Sequence, residues 1–496
     1  MRALPGRQGG GDNLRGERPG GIIIRIYGKN KEGYRLISDI VGKLRGQFAP
    51  GAHSELRAQR SLSRRVTLLQ GNLTRNARTD SQGVSARVYQ GGVYGFASQA
   101  ELSEAAARRA LATATDNARF LDGHTGYQMG ALPDIAAGAM APQEDFTDLP
   151  QKHYLDFLRP LDDYIAGKYP DLASRTLVAY ADSMEKQLIT SDGYSAHLLA
   201  PRSYIYLFLN AQTGDGMPVE VFKVFGGSGT FDLQFKAPED LYAQVDQLYE
   251  HLMKKREGVF AQAGKKTVIL HGELAGMLAH EAVGHTVEAD LVLGGSVAGP
   301  MLDEMVASPL VSMTDFAHTA FGQEAPLPVY VDDEGVLAQD AELIRNGRLT
   351  GYMVNRELGR HFSMRPQGNA RAFAFNDEPL IRMRNTAVHP GLDKFEDMIA
   401  SVEDGYYLIS SNNGQADTTG EFMFGISLGY EIKNGRLGRA IFDTTISGVA
   451  FDMLKTVDRV SDRVSWSSSG FCGKKQLMPV GLGGPDLRCD VMIGGK

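Results

Sequence analysis

The sequence predicts an α+β protein of several domains, built from antiparallel β-rich meanders with packed helices. Three observations carry that expectation. Residues 50–120 and 175–235 each alternate short apolar runs with turns. RVTLLQGN, GVSARVYQGG and VYGFASQ make up the first stretch, and SDG (191–193) and TGDG (213–216) punctuate the second. Later, LIRNGRLTGYM (343–353) and EIKNGRLGRAI (431–441) share an Asn-Gly hairpin signal, which marks two related hairpins in one β-rich domain. Segments of helical periodicity lie between these runs, and 496 residues exceed what one core usually encloses.

Taken in order, MRALPGRQGGGDNLRGERPGG is rich in Gly and Arg without periodic apolar positions and reads as a disordered extension. A helix around YRLISDIVGKLRGQF (34–48) follows, so residues 1–48 form an extension and N-terminal helix. Residues 49–145 read as an N-terminal meander domain with the helix ELSEAAARRALATATDNARFL, for which Ser98 and Glu101 offer a capping box. PDIAAGAMAPQED (133–145) reads as a linker. The central domain, 146–260, runs from a helix near 150–168 through the second meander to a long helix, PEDLYAQVDQLYEHLMKKREG (238–258), with Pro238 suited to its first turn. Residues 261–496 form the C-terminal β-rich domain, opening with the strand TVILHG and the helix ELAGMLAHEAVGHTVEAD.

Composition narrows the function classes. The net charge is −7, with 43% apolar and 22% charged residues, as in an ordinary globular protein. Residues 1–78 hold 16 Lys/Arg against 5 Asp/Glu, a balance of +11, so the remainder carries −18. No aromatics interleave those arginines, so a nucleic-acid arm is not expected. No apolar run reaches membrane-spanning length; GIIIRIY (21–27) is too short and carries Arg25. Two cysteines make no disulfide framework, and a cytoplasmic, reducing setting is expected.

The chemistry concentrates in HEAVGH, His280 to His285. The H-E-x-x-H spacing places two histidines on one helix face with a glutamate as base, but here the second histidine is one residue late. In a regular helix, residues five apart sit about 140° from each other. A π-bulge restores them to one face, and Gly284 would ease the distortion. A metal then needs a third ligand. Glu288 and Asp290 are near, and Cys472 in SSSGFCGKKQLMPVGLGGP is far; thiolate and imidazole together suit zinc among other transition metals. Cys489, inside the strand LRCDVMIGG, reads as an inert buried thiol.

From about residue 52 onward the chain resembles the TldD/PmbA metalloproteases. The resemblance rests on HEAVGHTVEAD, VDDEGV (331–336), NGRLTGYM (346–353), RPQGNAR (365–371), PLIRMRNT (379–386), NGQADTTGEFMF (413–424) and CGKKQLMPVGLGGP (472–485), in that order. It implies His280, His285 and Cys472 as zinc ligands and Glu281 as the catalytic acid/base. Glu288 and Asp290 then become candidates for orienting a ligand histidine. The loop CGKKQLMPVG reads as one residue shorter than the family's C-G-K-x-G-Q form. The implied reaction is hydrolysis of unstructured peptides, bound extended as an added strand. Asn369 and Arg371 of GNAR and Gln415 of GQAD are candidates for the cleft. Arg371 or Arg382 is a candidate for binding a substrate carboxylate, with a structural ion pair as the alternative. The family's pairing of motif-bearing and motif-lacking subunits implies a heterodimer, with a homodimer equally open. A non-proteolytic regulatory protein, in keeping with the family's DNA gyrase modulator label, and a metal-dependent amidohydrolase on a non-peptide substrate are the competing expectations.

Overall fold

Strands β1 (His53–Leu69) and β2 (Asn72–Gln90) pair antiparallel along their whole lengths, far longer than the short apolar runs in their sequences. In this computed structural model residues 40–124, 130–135, 138–140 and 148–494 are described. The extension, GIIIRIY and the first half of the 34–48 helix lie outside them, as does most of the 133–145 segment. The apolar pattern understates β1 because Glu55, Arg57 and Gln59 are buried, facing the C-terminal half rather than solvent.

Both meanders join one sheet. β1 continues onto β5 (Ser174–Thr190), then β6 (Ser195–Gln212), with β3 (Val93–Gln99) at the far edge. β4 (Ala139–Met140) and β7 (Pro218–Ser228) both pair with β6. Helix α1 (Glu104–Asp122) lies on this sheet through Ala106, Ala107, Ala110, Ala114 and Ala118, whose small side chains permit close approach. Its cap corrects the expectation from sequence. Ser103 accepts from Ala106 N at 3.1 Å, while Ser98 belongs to β3 and Glu101 accepts from Ser103. Helices α2 (Gln151–Lys168) and α3 (Tyr242–Arg256) pack beneath the sheet. As expected, Pro238 stands in the first turn of the segment leading into α3. Leu158, Leu248 and Leu252 share a core there with Leu428 and Ile432 of the C-terminal half.

The C-terminal half closes on itself. β8 (Gly264–Leu270) runs parallel to β13 (Asp404–Ala416) and antiparallel to the end of β18 (Met478–Gly494). β13 pairs with β14 (Glu421–Lys433), β14 with β16 (Thr444–Val449) and β16 with β18, which completes a ring. From β18 a branch leads through β12 (Asn385–Val388) and β9 (Met313–Phe316) to β10 (Ala341–Arg345) and β11 (Arg348–Leu349). β15 (Arg436–Ala440) pairs with β14, and β17 (Arg459–Cys472) pairs with β18. Both Asn-Gly hairpins form in this sheet, with left-handed φ of 48° and 83° at Asn346 and Gly347, and 50° and 72° at Asn434 and Gly435. Helix α4 (Gly272–Leu278) lies directly on β18. A Cβ on Gly276 would stand 2.3 Å from Gly483 N, so only glycine permits this contact. Among the described residues no helix is long and apolar enough to cross a membrane.

Candidate metal centre

At its C-terminal end α4 passes into a π-helical turn, Ala279–Gly284, in which His285 N–H donates to His280 O across five residues. A 3-10 turn, His285–Val287, and helix α5 (Ala289–Leu293) follow. The extra residue of HEAVGH is thus absorbed, and the two imidazole centroids stand 5.1 Å apart. Gly284 has an ordinary right-handed φ of −53° and relieves no strain. Its missing side chain matters for packing instead, since a Cβ there would meet Met383 Sδ at 2.1 Å.

The end of β17 delivers Cys472 to the same spot. One potential ligand atom from each of His280, His285 and Cys472 lies within 4.8 Å of the others. Cys472 Sγ is 3.2 Å from His285 Nε2. His280 is 1% exposed, and neither of its ring nitrogens meets a hydrogen-bond partner at good geometry. A buried imidazole left unsatisfied is costly. Beside a second imidazole and a thiol it has the donor set of a zinc or related transition-metal site. Burial pushes the Cys472 thiol up, but the two imidazoles outweigh it and bring it down to about 4, so the thiolate, the form a metal would bind, is favoured. Burial draws His285 down, yet hydrogen bonds with Cys472 and Glu288 raise it to about 10.

Glu288 is wholly buried and accepts from His285 Nδ1 at 2.7 Å. Burial alone would raise its carboxyl; Lys474 and His285 hold it below the usual range. Asp290 does not touch a histidine. It pairs with Lys474 Nζ at 3.0 Å, and Lys474 also stands 3.1 Å from Glu288. Glu281 is partly exposed, with its carboxylate 3.7 Å from His285 Nε2, at the open side of the cluster.

The other candidates are dispersed. Asn369 is fully buried and donates to Asp315 Oδ2 and Arg382 O, so it cannot line a cleft. Arg371 donates to Met383 O and Pro479 O, and burial draws it down to about 9. Arg382 is buried and donates to three carbonyls of the cysteine loop. Neither arginine forms an ion pair among the described residues, and their donors are directed at backbone carbonyls rather than at open space. Gln415 is exposed and lines an open groove with Asp417, Glu421 and Ser447. Cys489 is buried in β18 and its thiol is pushed far up, as an inert core thiol should be. The sequence reading assigned no role to Lys474, although its place two residues after Cys472 was a signal.

A cavity of about 600 Å³ opens between the two halves, walled by Tyr204, Lys223, Glu273, Met277, Tyr407 and Trp466. Met277 also packs against the apolar group of Cys472, Val480 and Leu482, and Leu482 lines the cavity as well, so one end of the cavity lies near the cluster. Ser410 and Ser411 of β13 and Ser467–Gly470 of β17 border it. Beyond its ladder with β18, β17 touches Asp393 through Ser461, and its Ser468 and Ser469 carbonyls accept from the hydroxyls of Tyr204 and Tyr206; β8 covers β13 only along 405–408.

Residues 263–495 match the PmbA/TldA metallopeptidase C-terminal domain, and residues 54–118 match domain 1 of the same family. A Methanothermobacter thermautotrophicus metalloprotease is 31% identical over 89% of this chain and 95% of its own length. A zinc metalloprotease TldD homolog from Saccharolobus solfataricus is 29% identical over 66% of this chain and 72% of its own. Among solved structures, TldE from Thermococcus kodakarensis superposes with a TM-score of 0.69 at 14% identity, covering 92% of this chain and 99% of that one. A Thermotoga maritima protein described as a candidate modulator of a DNA gyrase superposes with a TM-score of 0.69 at 17% identity, covering 92% and 100%. At those identities the two structures speak for the fold alone.

Proposed function

The chain belongs to the PmbA/TldD metallopeptidase family, and from that footing we propose that it is a zinc peptidase cleaving unstructured peptides at the His280, His285 and Cys472 cluster. The unsatisfied, buried imidazole of His280 beside an acidified thiol carries the proposal. His280, His285 and Cys472 would hold the ion, and Glu288 keeps the Nδ1 proton of His285, leaving Nε2 to ligate. When bound, zinc supplies Lewis acidity toward a carbonyl and toward water. Glu281, at the open side, takes a proton from the attacking water and delivers it to the leaving amine.

The cavity supports a chain-like substrate. Its border includes Ser410 and Ser411 of β13, beyond the part that β8 covers, where an extended peptide can add by main-chain hydrogen bonds. A folded protein has its strand edges already paired, so a strand-adding mode favours an unstructured substrate. The family resemblance, rather than the solved neighbours, points to assembly with a second copy or with a related chain lacking the motif.

Digestion of a random peptide library by wild type and Glu281→Gln tests the proposal. The variant keeps its zinc and cleaves about 10²- to 10⁴-fold more slowly. Equal cleavage by the variant, or by metal-stripped protein, would rule it out.

A further inference from the structure

We infer that Arg382 is a positioning residue for the cysteine limb of the metal centre, holding loop 472–476 in the shape that presents the Cys472 sulfur to the two histidines. The inference rests on the metal-site reading above and adds a residue that touches neither ion nor substrate.

The ladder between β17 and β18 ends at the pair Cys472 and Met478, so the loop beyond it has little sheet bonding of its own. Gly473, Lys475 and Leu477 are exposed, and Lys475 takes a left-handed φ of 57°. A loop of this kind is mobile unless something gathers its backbone. Arg382 does so from beneath. Its NH2 donates to Cys472 O at 2.8 Å, and its NH1 donates to Lys474 O at 2.6 Å and Gln476 O at 2.7 Å. The guanidinium is wholly buried and has no carboxylate partner among the described residues, so three carbonyl dipoles stand in for a counter-ion. A planar fork with five N–H donors can serve three carbonyls at once, whereas the single ammonium of lysine cannot reproduce those directions.

Arg382 is itself held by Asn369, which donates to its carbonyl at 3.0 Å and accepts from its N–H at 2.8 Å. Two further ties act on the same loop. Lys474 reaches across to Glu288 and Asp290, beside His285. Gln476 bonds Phe373 N and Glu378 O. The thiolate and imidazole limbs therefore meet through Lys474, while Arg382 sets the thiolate limb alone.

Zinc affinity by chelator competition is measured for wild type, Arg382→Met, Arg382→Lys, Cys472→Ser and the double variant Arg382→Met with Cys472→Ser. Hydrogen exchange of segment 470–478 is followed in the metal-free proteins. Each Arg382 variant should bind zinc about 10- to 100-fold more weakly than wild type. Arg382→Met should make no further difference once Cys472 is already serine. Exchange in 473–477 should quicken while the core of β18 stays protected. Wild-type affinity in both Arg382 variants, or an equal loss in the Cys472→Ser background, overturns the inference. Arg382→Lys keeps charge and stem, and it decides the matter if Arg382→Met does not fold. If wild type binds no zinc, the proposed function fails, and the exchange of 473–477 alone decides whether Arg382 is the clamp.

Discussion

At the scale of residues, His285 and the groups behind it are each set by a neighbour, while His280 is left without one. Glu288 holds His285 through Nδ1, and Lys474 holds Glu288. A carboxylate that fixes the tautomer and orientation of a ligand histidine is worth about 10- to 100-fold in metal affinity. Glu288→Gln should therefore weaken zinc binding by about that factor in a chelator competition; unchanged affinity would show that His285 needs no such partner. How far the cluster was legible also depends on the residue. The spacing of His280 and His285 announced a helix that had to bulge. Cys472 lies 187 residues beyond His285, and no local pattern connects them, so only the ordered landmarks pointed to it. Asn369 looked like a cleft residue because it follows a glycine in a polar loop, and Arg382 looked like a carboxylate binder or ion-pair partner because of its charge. Their burial follows from carbonyls that converge only in three dimensions.

Among elements, the bulged helix depends on a glycine seam. Gly276 of α4 rests against the backbone of Gly483 in β18, and backbone cannot move aside as a flexible side chain can. Gly276→Ala should lift α4 and cost about 1–3 kcal/mol, read as a lower urea midpoint. Zinc affinity should fall as well, because His280 follows on the same helix. An unchanged midpoint would mean that the contact relaxes freely. The hairpins were legible because Asn-Gly requires two left-handed residues in succession, and both turns have them. The length of β1 was not, since strand pairing requires backbone hydrogen bonds and not apolar side chains. Arg57 and Gln59 interrupt the apolar pattern because they meet Asp333, Asp377 O and Phe373 O of the other half, while Glu55 pairs with Arg87, which itself reaches Glu334 there. The cap of α1 was misplaced for a related reason: Ser98 and Glu101 fit the capping pattern, but Ser98 is claimed by β3.

Over the whole molecule, buried charges join the first sheet to the C-terminal half. Arg57 and Lys186 flank Asp333, with Lys186 Nζ 2.8 Å from its carboxylate. Burial would raise Asp333, but Lys186 and Arg57 outweigh it and bring it down to about 2 from 3.8. A carboxyl held below its unfolded value adds stability above that value, and loses it as pH falls through the folded one. Asp333 should therefore contribute about 2 kcal/mol at neutral pH that disappears between about pH 4 and pH 2. Urea midpoints across that range should fall in wild type and flatten in Asp333→Asn. At neutral pH the variant should also be about 3–5 kcal/mol less stable, with two cations left unpaired. The same strands bear on the metal centre. Gln59 donates to Phe373 O, and Phe373 N donates to Gln476 of the cysteine loop, so the first half helps to shape a site whose proposed ligands all come from the second. That site remains the central claim, and X-ray absorption at the zinc edge of the loaded protein tests it most directly. The account predicts one sulfur and two imidazole nitrogens from the protein, with the sulfur lost in Cys472→Ser. A zinc sphere without sulfur in the wild type would contradict it.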